Sequence, residues 1–143
     1  MTTEDSESSE WPELYFHFSA TLRIFGVIDD LDAITSELGV TPTETHRRSD
    51  KRRPTSVHSY EHDMWSFSAP VPEDRPLRVH LEALWRVVRP HVAYLKGLKE
   101  RMTVDVFCGY RSNCGTAGFE VDHQALILFN ELEVPFGVSV IIC

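Results

Sequence analysis

The most constraining feature of this sequence is an alternation of apolar and polar side chains close to the N-terminus. Positions 14, 16, 18, 20, 22 and 24 are apolar, whereas the positions between them carry Tyr15, His17, Ser19, Thr21 and Arg23. Successive side chains of a β-strand point to opposite sides, so this pattern predicts one long strand at 14–24 with a buried and a polar face. A chain that contains such a strand must build a sheet and cover one side of it with apolar residues.

A long helical pattern occupies the middle of the chain. Apolar residues recur at intervals of three and four between Leu77 and Leu98, which is typical of a helix face packed on a core. Pro90 interrupts the pattern because proline lacks the N–H that a helix needs. The sequence therefore predicts two consecutive helices, at about 76–89 and 90–100.

Two shorter helices and several strands complete the pattern. Asp30 and Gly39 are typical caps for a helix at 31–38, and Asp122 is a typical N-cap for a helix at 123–132. Further strands are predicted at 62–68, 102–110, 119–121 and 134–143, with a short extended, edge-like segment at 40–48 and a polar loop at 49–60.

The order of these elements predicts an α+β fold. One domain over 13–143 would contain a mainly antiparallel or mixed sheet of about six strands, with three to four helices packed on one face. Its order, β-α-β-β-α-β-β-α-β, is related to that of ferredoxin-like folds. The strands at 102–110 and 119–121 would form a hairpin, and the acidic residues 1–12 would be a disordered tail.

Charge and hydropathy narrow the functional classes. Acidic residues outnumber basic ones by 22 to 14, and the formal net charge of −8 opposes binding to nucleic acid or to an anionic membrane. The longest apolar run, at 125–129, is far too short to span a bilayer. The N-terminus lacks the features of a secretion signal, so a bacterial-type cytoplasmic protein is expected.

The cysteines and histidines predict neither a metal nor a cofactor. Cys108, Cys114 and Cys143 lack the paired spacing of zinc ligands, and reduced thiols are expected, with a Cys108–Cys114 disulfide as the alternative. His58 and His62 lie four residues apart, but in a segment that enters a strand rather than on one face of a helix. Cys108 alternates in phase with core positions, which indicates a packing role.

Several core and turn positions resemble those of a bacterial family, domain of unknown function 4279. The resemblance is carried by the strand at 15–24, by Leu38-Gly39-Val40-Thr41-Pro42-Thr43, by Thr45-His46-Arg47-Arg48 and by Trp65, and it extends over about 13–142. In that family a glycine follows the basic stretch, and Ser49 stands at that position here. The resemblance implies the α+β fold and no established activity, substrate or catalytic residue.

The polar face of the first strand is one candidate site. A solvated surface, an interface with a second copy of the chain and a catalytic surface are the three interpretations of such a face. Catalysis would need a histidine beside a carboxylate, and His17 with Asp105 or His62 with Asp63 could supply it. The candidate binding residues on this face are Tyr15, His17 and Arg23.

A compact basic loop is the other candidate site. Five of the 14 bases lie in residues 47–53, which contain one acid. Guanidinium groups offer paired donors to carboxylates and phosphates, so the loop suits an acidic protein partner or a small anion. The alternative is a solvated loop paired with nearby acids, and nucleic acid is not expected because the loop has no interleaved aromatic residues. The five bases are Arg47, Arg48, Lys51, Arg52 and Arg53.

No catalytic motif accompanies these features. They predict a small non-catalytic interaction module of an immunity-like or regulatory kind, with a homodimer through the sheet face as a further prediction. The alternative hypothesis is a small hydrolytic or acid–base enzyme that uses a histidine on the sheet face.

Overall fold

The alternating segment forms the central strand of the sheet. In the computed structural model, which describes residues 12–143, β1 spans Phe16–Gly26. Its apolar residues from Phe18 to Ile24 are buried, and the polar residues between them are partly exposed, as the alternation predicted. Antiparallel neighbours flank it on both sides: β3 (Asp63–Ser68) and β4 (Thr103–Ser112).

Two edge strands complete one mixed sheet. The short β2 (Glu44–His46) pairs antiparallel with β3, and β5 (Val138–Ile142) pairs parallel with β4. The strand order is β2-β3-β1-β4-β5. The predicted α+β class is confirmed, but within residues 12–143 the sheet has five strands instead of about six.

The strand predicted at 119–121 is wrong, and so is the hairpin that it would have formed. The free edge of β4 is occupied by β5, which leaves no place for a returning strand. The chain after β4 instead directs the Phe119 ring onto the core, with its centroid 5.3 Å from that of Phe18 and 5.2 Å from that of Tyr110. Aromatic packing replaces strand pairing in this segment.

The helices begin and end close to the predicted residues. The carboxylate of Asp30 accepts from the N–H groups of Asp32 (3.0 Å) and Ala33 (3.3 Å), and Gly39 ends the first helix with a φ of 70°. Pro90 lies in a 3₁₀ turn that separates the two pieces of the long helical pattern, as predicted. The helical segments are α1 (Leu31–Leu38), α2 (Leu77–Val88), a 3₁₀ turn (Arg89–His91), α3 (Val92–Leu98), a second 3₁₀ turn (His123–Leu126) and α4 (Ile127–Leu132).

The core lies between one face of the sheet and these helices. Trp65 is fully buried in it, and its indole N–H donates to the Thr35 hydroxyl at 3.0 Å, which joins β3 to α1. The other side of the sheet, which we call the open face, carries His17, Ser19, Thr21 and Arg23 of β1. No helix in residues 12–143 is long and apolar enough to cross a membrane. The tail predicted at 1–12 lies outside the described residues except for Pro12, which is exposed.

Candidate functional site

The basic loop is held in a folded-back conformation by backbone hydrogen bonds. The N–H of Ser49 donates to the carbonyl of Tyr60 (3.1 Å), and the N–H of Tyr60 donates to the carbonyl of Asp50 (3.0 Å). The N–H of Arg52 reaches the carbonyl of His58 at 3.2 Å. The segment predicted as a polar loop without periodicity is therefore an ordered turn that presents its bases in fixed positions.

Arg47 and Arg48 are engaged by a buried carboxylate at the start of β3. Asp63 is 1% exposed and accepts from the N–H groups of Arg48 (2.7 Å) and Ile28 (2.8 Å). The guanidinium groups of Arg48 and Arg47 lie 3.5 and 3.7 Å from its Oδ2, and Arg47 also donates to the carbonyl of Ile28. These contacts join the basic loop to the segment after β1.

The environment of Asp63 favours its charged form. Burial by itself would raise the pKa of this carboxyl group. The backbone hydrogen bonds from Arg48 and Ile28 and the positive charges of both arginines outweigh burial, so the pKa of Asp63 is lowered. Two of the five predicted binding bases thus compensate a buried charge.

The other three bases face solvent. Lys51, Arg52 and Arg53 are exposed, and none of them forms an ion pair within the described part of the chain. The Arg52 guanidinium lies 5.8 Å from the centroid of the Tyr60 ring. The other partner of Tyr60 is His46, whose ring stacks on it with centroids 3.5 Å apart and planes 8° from parallel.

This stack forms one wall of a cavity of about 210 Å³ at the β2 edge of the open face. Its walls combine aromatic surface with the guanidinium groups of two arginines, the rings of two histidines and one carboxylate, that of Glu61. We call this cavity the cationic groove, and its main lining residues are Arg23, Phe25, His46, Arg52, Tyr60 and His62.

Arg23 is already paired inside the sheet. It donates to both carboxylate oxygens of Asp105, at 2.8 and 2.7 Å, and its guanidinium lies over the rings of Phe107 (5.0 Å) and Phe25 (5.6 Å). The bidentate bond fixes this partly buried side chain, and the hydrogen bond that Arg23 donates to Asp105 raises the pKa of Arg23. Arg23 therefore contributes a rigid wall to the cationic groove.

The two histidine–carboxylate pairs predicted for catalysis do not form. Asp105 lies opposite Arg23 in the register, and His17 lies opposite Arg111, six residues away along β1 or about 20 Å. Asp63 is on the buried side of β3 and is occupied by backbone N–H groups, whereas His62 is exposed with its ring 6.3 Å from that of Phe25. The spacing of residues in the sequence could not predict the alignment of β1 with β4 that separates His17 from Asp105.

His17 lines a second cavity, of about 200 Å³, on the open face beside β5. Its Nδ1 is 3.8 Å from Oε2 of Glu73, and the same oxygen is 3.8 Å from the guanidinium of Arg111. Both distances exceed hydrogen-bond length. Gly109 lies in the floor of this cavity, where a Cβ would be 2.7 Å from the Ser19 hydroxyl and would displace it.

Tyr15 lies at the end of the open face, next to His17. The two ring centroids are 4.7 Å apart, and the Tyr15 hydroxyl is 3.0 Å from the sulfur of Cys143. Tyr15 and His17 are therefore brought together, while the cationic groove lies at the other end of β1. Of the three candidate residues predicted on this face, Arg23 lines the cationic groove with Arg52, whereas Tyr15 and His17 lie away from it.

Sequence reasoning missed the roles of Asp63 and Glu73. Asp63 occupies a core-facing position in phase with Trp65 and Phe67, and an acidic residue in that phase is a signal for a buried, compensated carboxylate. Glu73 lies in a proline-rich segment without periodicity. It is placed by the bond from the N–H of Phe18 to its carbonyl (2.8 Å), which no sequence pattern indicates.

The three cysteines are free thiols, so the Cys108–Cys114 disulfide is absent. Burial raises the pKa of the Cys108 thiol to about 12, which suits the predicted packing role and disfavours a thiolate. Among residues 12–143, no three His, Cys, Asp or Glu side chains are grouped as metal ligands.

The structure defines an α+β protein with one mixed sheet, helices on one side and a polar open face on the other. The chain belongs to the family described as domain of unknown function (DUF4279), whose model matches residues 14–142. The resemblance seen in the core and turn positions is thereby confirmed. No curated protein and no solved structure matches the chain significantly.

Proposed function

We propose that the protein is a non-catalytic binding module whose cationic groove takes an acidic segment of a partner protein. The observation that carries this proposal is the position of Lys51, Arg52 and Arg53. They lie exposed on an ordered turn beside the groove, in a chain whose net charge is −8. A local positive surface on an acidic body favours a carboxylate-rich ligand and steers its approach.

The rigidity of the groove supports binding further. Tyr60 is stacked on His46, and Arg23 is fixed by Asp105. Side chains that are ordered before binding lose less conformational entropy when a ligand arrives. Arg52 can offer its N–H groups to a carboxylate, because it forms no ion pair within residues 12–143.

The test uses a fluorescein-labelled decaglutamate peptide and fluorescence anisotropy at low and physiological salt. The wild-type protein should bind the peptide, and binding should weaken as salt screens the charges. A triple charge reversal in the loop should lower affinity about tenfold or more, since each exposed charge contributes up to about 1 kcal/mol. The loop variant is Lys51→Glu, Arg52→Glu and Arg53→Glu.

A matched control separates the groove from net charge. Reversal of three other exposed bases makes the same change in net charge on the helical side of the molecule. That variant should keep affinity within about threefold of wild type, because distant exposed charges are screened. Equal weakening by both variants, or no binding by the wild type at low salt, would contradict the proposal. The control variant is Arg78→Glu, Arg86→Glu and Arg89→Glu.

A small anion would use the same donors, and competition distinguishes it from a peptide. If inorganic phosphate displaces the peptide more strongly than sodium chloride does at the same ionic strength, the groove binds a small anion rather than an extended peptide segment. Sodium chloride at matched ionic strength is the control for screening. Arg47 and Arg48 are left unchanged in these tests because their loss would expose the charge of Asp63.

Two further assignments belong with this proposal. We propose a ferredoxin-like relationship for the first four strands, supported by the β1-α1-β2 and β3-α2-α3-β4 sequence and the β2-β3-β1-β4 order, with β5 as an addition. We also propose the bacterial cytoplasm as the compartment, which the three free thiols support. Cell fractionation with an antibody against the protein tests the second assignment.

A further inference from the structure

β5 forms one edge of the sheet, and its outward backbone groups meet no strand within residues 12–143. On its inner side, the N–H of Cys143 donates to the carbonyl of Ser112 at 3.0 Å. Backbone groups of alternate residues in a strand point to opposite sides, so the odd-numbered residues of β5 face β4. Val138, Val140 and Ile142 therefore direct their N–H and C=O groups away from the sheet.

The exposed surface of β5 is uncharged and, apart from Ser139, apolar. Val140, Ile141 and Ile142 are 56%, 53% and 49% exposed. Proteins protect sheet edges with charged residues, prolines or bulges, and Val138–Ile142 contains neither a charge nor a proline. Unpaired backbone groups bordered by apolar side chains fit another extended strand better than they fit water.

The opposite edge of the sheet differs in each of these respects. β2 consists of three polar residues, Glu44, Thr45 and His46, and Glu44 carries a charge. A short, charged edge resists pairing with another chain. Strand addition is therefore expected at β5 and not at β2.

We propose that β5 pairs with β5 of a second copy of this chain, antiparallel about a twofold axis at Val140. Val140 then lies opposite Val140 of the partner, and Val138 lies opposite Ile142. The outward groups of these three residues would form about six backbone hydrogen bonds, since each opposed pair exchanges two. Val138, Val140 and Ile142 share one face of the strand, so this register aligns β-branched side chains across the interface.

Symmetry favours a second copy as the occupant, and the absence of charged residues in β5 permits it. Two molecules with a net charge of −8 repel each other, and contact through an uncharged strand adds no local repulsion. Antiparallel pairing of two identical strands is self-complementary. It occupies the β5 edge of each copy, so assembly stops at the dimer. The sheet-face dimer predicted from sequence would use other residues. Edge pairing leaves the cationic groove accessible, because the groove lies at the β2 edge.

Sedimentation velocity of the full chain from micromolar to sub-millimolar concentration tests the proposal. The wild type is expected to form a concentration-dependent dimer. Val140→Pro removes an outward N–H without removing a hydrogen bond to β4, and it should be monomeric at every concentration. Val140→Lys keeps every backbone group and places two like charges at the twofold axis, so it should also be monomeric.

Val57→Lys is the matched control, because it adds the same charge at a valine that is 89% exposed in the polar loop at 49–60. It should dimerise like the wild type. A wild type that stays monomeric throughout would overturn the proposal, and so would a dimer that survives both Val140 variants. The proposal would also be overturned if the full chain stayed monomeric and a chain without residues 1–11 dimerised. That result would indicate that residues 1–11 occupy the β5 edge.

Discussion

Asp63 shows at the scale of a single residue how much can depend on one buried charge. Its carboxylate accepts from two backbone N–H groups and lies beside two guanidinium groups. Removing one partner of a buried ion cluster leaves the others uncompensated. The residue therefore holds the basic loop and the end of β1 against the start of β3, and it positions the loop bases of the cationic groove.

Asp63→Ala should lower the free energy of unfolding by about 3–5 kcal/mol, the range for breaking a buried ion pair from one side. Urea denaturation followed by circular dichroism measures the change. Asp74→Ala removes an exposed carboxylate and should alter stability by less than about 0.5 kcal/mol. A loss at Asp63 no larger than that at Asp74 would show that the buried cluster adds nothing to the fold.

The sequence could predict which side of β1 each residue faces, because period-two alternation is a local property. It could not predict that Arg23 would take Asp105 and that His17 would be left with Glu73. Pair formation across strands depends on register, and register follows from the global arrangement of strands and connections. The sequence therefore predicted correctly which residues share the open face, but the histidine–carboxylate pairs that it predicted there are wrong.

At the scale of elements, the residues at which the helices begin, break and end were the most predictable part of the fold. Asp30, Gly39, Pro90 and Asp122 each act through backbone geometry within a few residues, so sequence alone indicates their roles. The segment at 119–121 has β-rich composition too, but composition does not decide whether a sheet edge is available. That edge had been taken by β5, which follows later in the chain.

Substitution of Gly39 at the end of α1 tests whether backbone conformation or steric crowding determines the loss of stability. Gly39 has a φ of 70° and no atom within 4 Å of the place where a Cβ would stand. Gly39→Ala should therefore destabilise the protein by about 1–2 kcal/mol through backbone strain alone. Gly39→Asn should cost less, because asparagine tolerates the left-handed region.

Gly97 is the control for this test, since it lies within α3 and also has open space around its Cβ position. Gly97→Ala should stabilise the protein by up to about 1 kcal/mol, the difference in helix propensity. Thermal or urea unfolding of the three variants measures the effects. Changes of the same sign for both alanine substitutions would contradict the conformational argument.

At the scale of the whole molecule, stability against pH depends on which buried groups must take up protons. His80 is a buried residue of α2, and its Nε2 is 3.2 Å from the carbonyl of Arg75 in the segment before that helix. Burial lowers the pKa of His80, and hydrogen bonds to the backbone of Arg75 and Pro72 and the charge of Glu73 oppose this only in part. The pKa of Asp63 is lowered as well, so both groups favour the folded state at neutral pH.

The two groups act in different pH ranges. A histidine whose pKa is lower in the folded state binds fewer protons there than in the unfolded chain. Its contribution is therefore complete above about pH 6.5 and is lost as the pH falls below that value. The lowered pKa of Asp63 contributes above about pH 3.9, the value for an unfolded aspartate, and is lost only in stronger acid.

The free energy of unfolding should therefore fall between pH 7 and pH 5 in the wild type, and His80→Gln should fall less steeply over the same range. Glutamine keeps a polar side chain that can bond the Arg75 carbonyl and has no proton to gain. His123→Gln alters an exposed histidine and should keep the wild-type slope. Urea titrations at pH 7, 6 and 5 measure the three slopes. If His80→Gln and wild type lose stability in parallel, then the uptake of a proton by His80 does not govern this range.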